Sequence, residues 1–246
     1  MNANPTLQPM EFNNVVAPQA VNDKHQHHGL PDSIVKAHQL IIEYLGRDND
    51  LTDAEKENFA DTAVRAAKAF ASMTSTRTEI NAALREILAV GFPKDSPQDA
   101  AEKTKSGLIT QGPIRINSLC PHHLLHVEYE AWVAYQPFQN GTVLGLSKLA
   151  RVAQTLGRRP VLQEQLASDI ADVLCVPKSG GTFFGIESEG SVVTLNGRHS
   201  CMSCRGVHSD ALTNTTEVRS YTYPTGDLER VFWIAVNALS NSGLRR

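Results

Sequence analysis

Cysteine is scarce in this chain, four in 246 residues, too few for a disulfide framework at this length. Long apolar runs are missing: none approaches the roughly 18 residues of a membrane span. The first residues also lack the basic-then-apolar pattern of a signal peptide. Basic excess is absent, because 23 Lys and Arg face 26 Asp and Glu for a net charge of −3. That balance argues against a general nucleic-acid binder but leaves a small anion open, since local clusters decide such binding. No internal repeat or long linker interrupts the chain. The expectation is a soluble, cytoplasmic protein in a reducing compartment, with no nucleic-acid or membrane partner. What is present, 41% hydrophobic residues, suffices for a sizeable core.

The patterning predicts three regions. Residues 1–30, rich in Asn, Gln, Pro and His, read as a polar flexible tail. Its Lys24-His25-Gln26-His27-His28 patch is read the same way rather than as a metal site. Residues 31–105 read as helical. Ile34, Ala37, Ile41, Ile42 and Leu45 recur at three-to-four spacing and stop at Gly46. Thr52 with Glu55 is a capping-box pattern announcing a helix through Phe59, Ala63, Ala66, Ala67 and Phe70. A third helix is predicted from Thr78 to Val90, before a polar linker from Pro93 to Lys105. Residues 106–246 mix strands and helices. Strands are predicted over 107–117 and 126–135, the second with Val127, Tyr129, Ala131, Val133 and Tyr135 alternating on one face. Helices are predicted over 146–155, 161–174 and 227–239. A hairpin is predicted from 182–187 and 191–195 around Glu189-Gly190. The class is α+β: N-terminal helices, then an antiparallel sheet with helices on one side.

Two short clusters carry the chemistry. Cys120-Pro121-His122-His123 and His199-Ser200-Cys201 hold two of the four cysteines and three of the nine histidines. Thiolate and imidazole are ligands zinc prefers. A Cys and a His three apart, with one distant Cys, make three protein ligands. Structural zinc sites close with four, so three leave a position for water. A lone C-x-x-H is common, and the bland reading is a polar loop with incidental histidines. The second cluster raises the stakes, because it follows a predicted strand in the same sheet region. Positive charge forms a second theme: Arg65 with Lys68, Lys148 with Arg151 after Gly145-Leu146-Ser147, and Arg205. Each reads alone as solvated charge; beside a metal they suit a polyphosphate. Gln163-Glu164 opens a helix, where acids are expected from the dipole. Alternatively, its carboxylate can accept two N–H groups side by side, as on the edge of guanine.

Together these residues resemble the GTP cyclohydrolase I family, zinc enzymes that convert GTP to 7,8-dihydroneopterin triphosphate and formate. The matching runs are SLCPHH (Ser118–His123), VLGLSKLAR (Val143–Arg151), RPVLQE (Arg159–Glu164) and HSCMSCRG (His199–Gly206). The resemblance implies Cys120, His123 and Cys201 as Zn2+ ligands, and His122 and His199 as acid/base residues. It implies Glu164 with Gln163 on the guanine, and Lys148, Arg151, Arg205, Arg65 and Lys68 on the triphosphate, with Ser147 nearby. It implies the tunnelling fold: an antiparallel sheet with helices on one face, closing with other copies into a barrel. The homo-oligomer is commonly a pentamer pair, a decamer, with active sites at subunit interfaces. Pro121 replaces the family's usual Glu, Thr62-Ala63 its usual Thr-Pro, and Leu125-His126-Val127-Glu128 its Pro and Gly turn. Two rivals are a tunnelling-fold pterin or 7-deazaguanine pathway enzyme, such as the NADPH-dependent nitrile reductase, and a non-catalytic zinc-stabilised binding module. The module would recruit a fourth ligand, for which Cys204 is the candidate.

Overall fold

The structure, a computed structural model, describes residues 30–46, 52–89, 91–93, 107–138, 141–177, 184–222 and 224–241. The expected tail at 1–29 and most of the 93–105 linker lie outside them. The chain divides into two compact units, Met1–Ser72 and Met73–Arg246.

In the first unit, α1 (Asp32–Leu45) ends at Gly46 as the periodicity predicts. Its apolar stripe is not buried, however: Leu40, Ile41, Tyr44 and Leu45 are all exposed. The Thr52–Glu55 capping box forms reciprocally, Thr52 N–H donating to Glu55 Oε2 at 2.7 Å and Glu55 N–H to Thr52 Oγ1 at 3.3 Å. The helix it opens is shorter than expected, because α2 (Asp53–Asn58) stops and α3 (Thr62–Met73) restarts. Asn58 and Asp61 favour local turn conformations over helix interior. The intervening N–H groups of Phe59 and Ala60 reach only three residues back, to Lys56 and Glu57. His38 of α1 meets Phe70 of α3 edge-on, with ring centroids 6.2 Å apart.

The second unit is organised by one strand. β3 (His126–Pro137) is the expected alternating segment, and Val127, Tyr129, Ala131, Val133 and Tyr135 are fully buried. They pack with α4 (Arg77–Leu88), α5 (Leu146–Gly157) and α6 (Gln163–Leu174) in one apolar cluster. Helix α4 opens with a second capping box, Thr76 with Glu79. A four-stranded antiparallel sheet runs β2–β3–β5–β6, with β2 at Ile109–Leu119, β5 at Ser188–His199 and β6 at Thr213–Ser220. Gly157, ending α5, lies so near β2 that a Cβ would sit 2.2 Å from Ile116 Cγ2. A small second sheet pairs β1 (Gly91–Pro93) with β4 (Thr142–Leu144).

Three expectations need correction. Glu189-Gly190 is not a hairpin turn but lies inside β5, paired with β3 and β6; residues 182–183 of the expected first arm lie outside the described residues. β6 was not foreseen, because TNTTEVRS has no apolar alternation and is only half-buried. Helices are not confined to one face. Helix α8 (Thr225–Asn241) covers the opposite face with Leu228, Phe232 and Val236 against Trp132, Ala134 and Val192. Those sheet residues occupy the alternate positions of β3 and β5, so period two supplies a second apolar face.

Apolar packing dominates this unit. Each fully buried Val or Leu side chain contributes about 1.5–3 kcal/mol, whereas an exposed ion pair such as Arg115–Glu128 contributes at most about 1 kcal/mol. The exception is Arg159, which pairs with the deeply buried Asp169. Burial pushes the Asp169 carboxyl above its usual value, while Arg159 and Gln165 pull it down. Arg159→Met removes the counter-charge, and urea unfolding near neutral pH is expected to show a loss of about 3–5 kcal/mol. Since a carboxyl raised in the folded state favours folding when protonated, that deficit should shrink as pH falls through the folded pKa.

Candidate metal centre and catalytic cavity

The sheet register brings the two cysteine clusters together. Strand β2 delivers Cys120 at its end, and β5 delivers His199 at its last position, opposite Val127 of β3. After Cys120 the chain turns back at once. Cys120 N–H donates to Leu125 O and Leu124 N–H to Cys120 O, both at 2.8 Å, with Leu124 in the left-handed region at φ 53°. The single helical turn α7 (Ser200–Ser203) follows β5 and carries Cys201. A third segment closes on both. Val161 N–H donates to Leu119 O at 3.1 Å, and Ser118 Oγ donates to Arg159 O at 2.9 Å. This clamp, anchored by Arg159–Asp169, sets the start of α6 beside Cys120.

Ligand atoms of Cys120, His123 and Cys201 lie within 4.8 Å of one another. Cys120 Sγ and His123 Nδ1 are 3.6 Å apart. Sulfur at 2.3 Å and nitrogen at 2.0–2.1 Å from one tetrahedral ion would be separated by about 3.6 Å, so the spacing fits a shared cation. The electrostatics agree. Burial first, then the neighbouring Cys120, push the Cys201 thiol above its usual value; a cation between the sulfurs relieves that repulsion. Tyr129 adds a buried hydroxyl with no hydrogen-bond partner among the described residues. Burial raises its pKa most, and Cys120, Glu164 and Cys201 raise it further. Among the described residues the ligand group numbers three. Cys204 is exposed, its thiol on Ser200 O, and it is not part of the ligand group found among the described residues.

A cavity of about 470 Å³ opens over these ligands, and His122, Glu164 and His199 share its wall with them. Burial holds the His199 imidazole below its usual value, while Glu164 pulls it upward. A cavity of about 520 Å³ lies elsewhere on the sheet, between Arg115, Glu128, Glu130 and Arg198, and carries none of the thiols.

Other expected site residues are placed differently. Gln163 lines the cavity but turns its amide inward. Nε2 donates to Leu195 O at 3.0 Å and Thr213 O at 3.3 Å, and Oε1 faces His199 Nε2 at 2.9 Å. Its side-chain amide is thus hydrogen-bonded within the protein, while the residue itself lines the cavity. Among the described residues no Lys or Arg lines the cavity. Lys148 reaches Ile87 O at 2.5 Å, and Ser147, Arg151 and Arg205 are exposed. Arg65 and Lys68 are exposed on α3 in the first unit, where Arg65 donates to Asn58 O and Thr62 Oγ1. Sequence reasoning missed Thr213 and Tyr129 as site neighbours. Neither sits in a motif; Tyr129 reads simply as strand core, and only pairing reveals what it faces.

If the three ligands hold one ion, titration with Co2+ should give a thiolate-to-metal charge-transfer band. The band should vanish in Cys120→Ala and Cys201→Ala and survive in Cys204→Ala. Survival in Cys201→Ala would remove Cys201 from the centre.

The model of the GTP cyclohydrolase I family matches residues 34–230. The GTP cyclohydrolase 1 of Geobacillus sp. (strain WCH70) is 34% identical over 189 residues, covering 76% of this chain and 87% of that protein. That of Geobacillus kaustophilus (strain HTA426) is 35% identical over 182 residues, covering 74% and 83%. That of Listeria monocytogenes serotype 4b (strain CLIP80459) is 33% identical over 187 residues, covering 76% and 85%. Among the described residues no helix is long and apolar enough to cross a membrane. With the matched segment spanning both units and all the residues of the metal centre, the chain belongs to the GTP cyclohydrolase I family.

Proposed function

We propose that this protein hydrolyses GTP to 7,8-dihydroneopterin triphosphate and formate. The observation that carries the reading is the convergence of a Cys-His-Cys group, two further histidines and a carboxylate on one cavity. Two soft sulfurs and an imidazole favour Zn2+ over harder cations. Zinc held there supplies a Lewis acid that brings the pKa of a water to about 7.

The chain's own residues supply the rest. Glu164, exposed at the start of α6, accepts from the guanine N1–H and 2-amino groups and holds the base in register. Water adds at C8 of the imidazole ring, and His122 or His199 protonates the ring nitrogen as the C–N bond breaks. A second water cleaves the resulting formamide and releases C8 as formate. The ribose then opens and rearranges, and its carbonyl condenses with the freed amine, expelling one water. Net consumption is one water per GTP. Burial, which holds the His199 imidazole below its usual value, favours the neutral ring that can accept a proton.

The triphosphate needs cations, and among the described residues none lines the cavity wall. We propose that Lys148, Arg151, Arg205, Arg65 and Lys68, with Ser147, meet it in a homo-oligomer whose sites lie between copies. The exposed apolar face of α1 supports such assembly, because unpartnered apolar patches mark interfaces. Closure of sheets into a barrel would cover the half-buried edge strand β6. A cytoplasmic location fits, because paired free thiols persist in reducing surroundings.

Incubation with GTP should yield pterin fluorescence and one formate per turnover, without NADPH consumption. Absence of both products from zinc-loaded protein would overturn the reading. Glu164→Gln keeps the shape but replaces one acceptor oxygen with a donor. Its kcat/KM for GTP should fall by about 10²-fold or more, as expected when a buried substrate N–H loses its partner. Retained zinc in that variant would separate base recognition from metal binding.

A further inference from the structure

Three residues that no single motif joins, Gln163, Thr213 and Gly197, meet beside one nitrogen of His199. Its Nε2 lies 2.9 Å from Gln163 Oε1. Thr213 Oγ1 lies 2.5 Å from the same oxygen and 3.2 Å from the Gly197 carbonyl. Gln163 cannot turn its amide over, because Nε2 already donates to two main-chain carbonyls, Leu195 O and Thr213 O. Reversal would set a carbonyl oxygen against both. Oε1 is therefore an acceptor and requires donors, so the His199 nitrogen facing it carries hydrogen. The neutral imidazole is then the Nε2–H tautomer, with its lone pair on Nδ1.

Two further features hold this arrangement. The His199 ring meets the Tyr129 ring edge-on, at 5.7 Å between centroids and 82° between planes. Gly197, buried opposite Tyr129 in the β3–β5 register, leaves the necessary space. A Cβ there would lie 2.6 Å from Gln163 Oε1, 2.8 Å from Thr213 Oγ1 and 2.9 Å from His199 Nε2. All three network atoms would have to move.

We infer that Thr213, acting through Gln163, fixes the tautomer and orientation of His199, with hydrogen on Nε2 and the lone pair on Nδ1. Thr213 and Gln163 are positioning residues, and Gly197 is the residue that makes room for them. The kinetic consequence rests on the proton-carrier role proposed for His199; the tautomer itself does not. The logic is that of an outer-shell acceptor that selects one imidazole tautomer. It differs from the base-recognition role that the sequence suggests for Gln163.

The test uses full-length, zinc-loaded protein labelled with ¹³C and ¹⁵N in histidine, with His199 signals identified by their loss in His199→Asn. Ring ¹⁵N and Cδ2 shifts should report Nε2–H in the wild type. Thr213→Val, nearly isosteric, and Gln163→Leu should give mixed tautomers. Both should lower kcat about 10–100-fold while KM for GTP stays within about twofold. Thr213→Ser should restore both tautomer and rate. An Nδ1–H wild type would overturn the inference, as would variants that leave the tautomer unmoved or a Gln163→Leu effect confined to KM. If the tautomer shifts as stated while His199→Asn keeps full turnover, the network stands and the proton-carrier role falls.

Discussion

The pairing of β3 with β5 is the constraint on which the site depends. It sets Val127 opposite His199 and Tyr129 opposite Gly197. A shift of one residue would exchange the two faces of β5. Val193 and Leu195 would then leave the cluster shared with α5 and α6, and His199 would turn away from Gln163. The apolar cost of such a slip, several fully buried side chains at about 1.5–3 kcal/mol each, is what holds the candidate site residues in place. The candidate metal centre is thus positioned by a core that contains, of Cys120, His123 and Cys201, only Cys120.

The three ligands come from a strand end, a tight turn and a single helical turn, none of which is stable alone. Their convergence is supported by the clamp between Leu119 and Val161 and by the buried Arg159–Asp169 pair. Burying a charge there is expensive, and the pair offsets that cost by setting where α6 begins. Helix α6 then serves two ends of the chemistry. Gln163 faces inward onto His199, and the adjacent Glu164 faces outward to solvent. Neighbouring positions on a helix point about 100° apart, so one helix start can orient His199 and present a carboxylate.

Much of the fold was legible because it rests on local chemistry. The capping boxes at Thr52 and Thr76 and the alternation through β3 are written in neighbouring residues. The misreadings have a common cause. Glu189-Gly190 has turn composition, yet strands on both sides hydrogen-bond to it, and Gly190 is buried where a Cβ would strike Leu228 and Arg219 O. Helix α8 lies on the second face of the sheet because Trp132, Ala134 and Val192 supply an apolar patch there. Alternation alone reads that patch as tolerated hydrophobics on a solvent face. β6 is polar in composition and owes its strand state to its partner β5.

By itself the sequence determined the family and named the Cys-His-Cys group as the candidate metal ligands. Thiol and imidazole at those spacings allow few uses, and four motifs in one order carry the family. Tertiary structure alone decided how the side chains divide the work. Gln163 and Thr213 are 50 residues apart, and Gln163 and His199 36 apart. Neither separation leaves a periodic trace, because a hydrogen bond between distant residues depends on the register of strands rather than on the residues beside it. An amide beside a carboxylate looks like a base reader in sequence; only the carbonyls of Leu195 and Thr213 turn it inward.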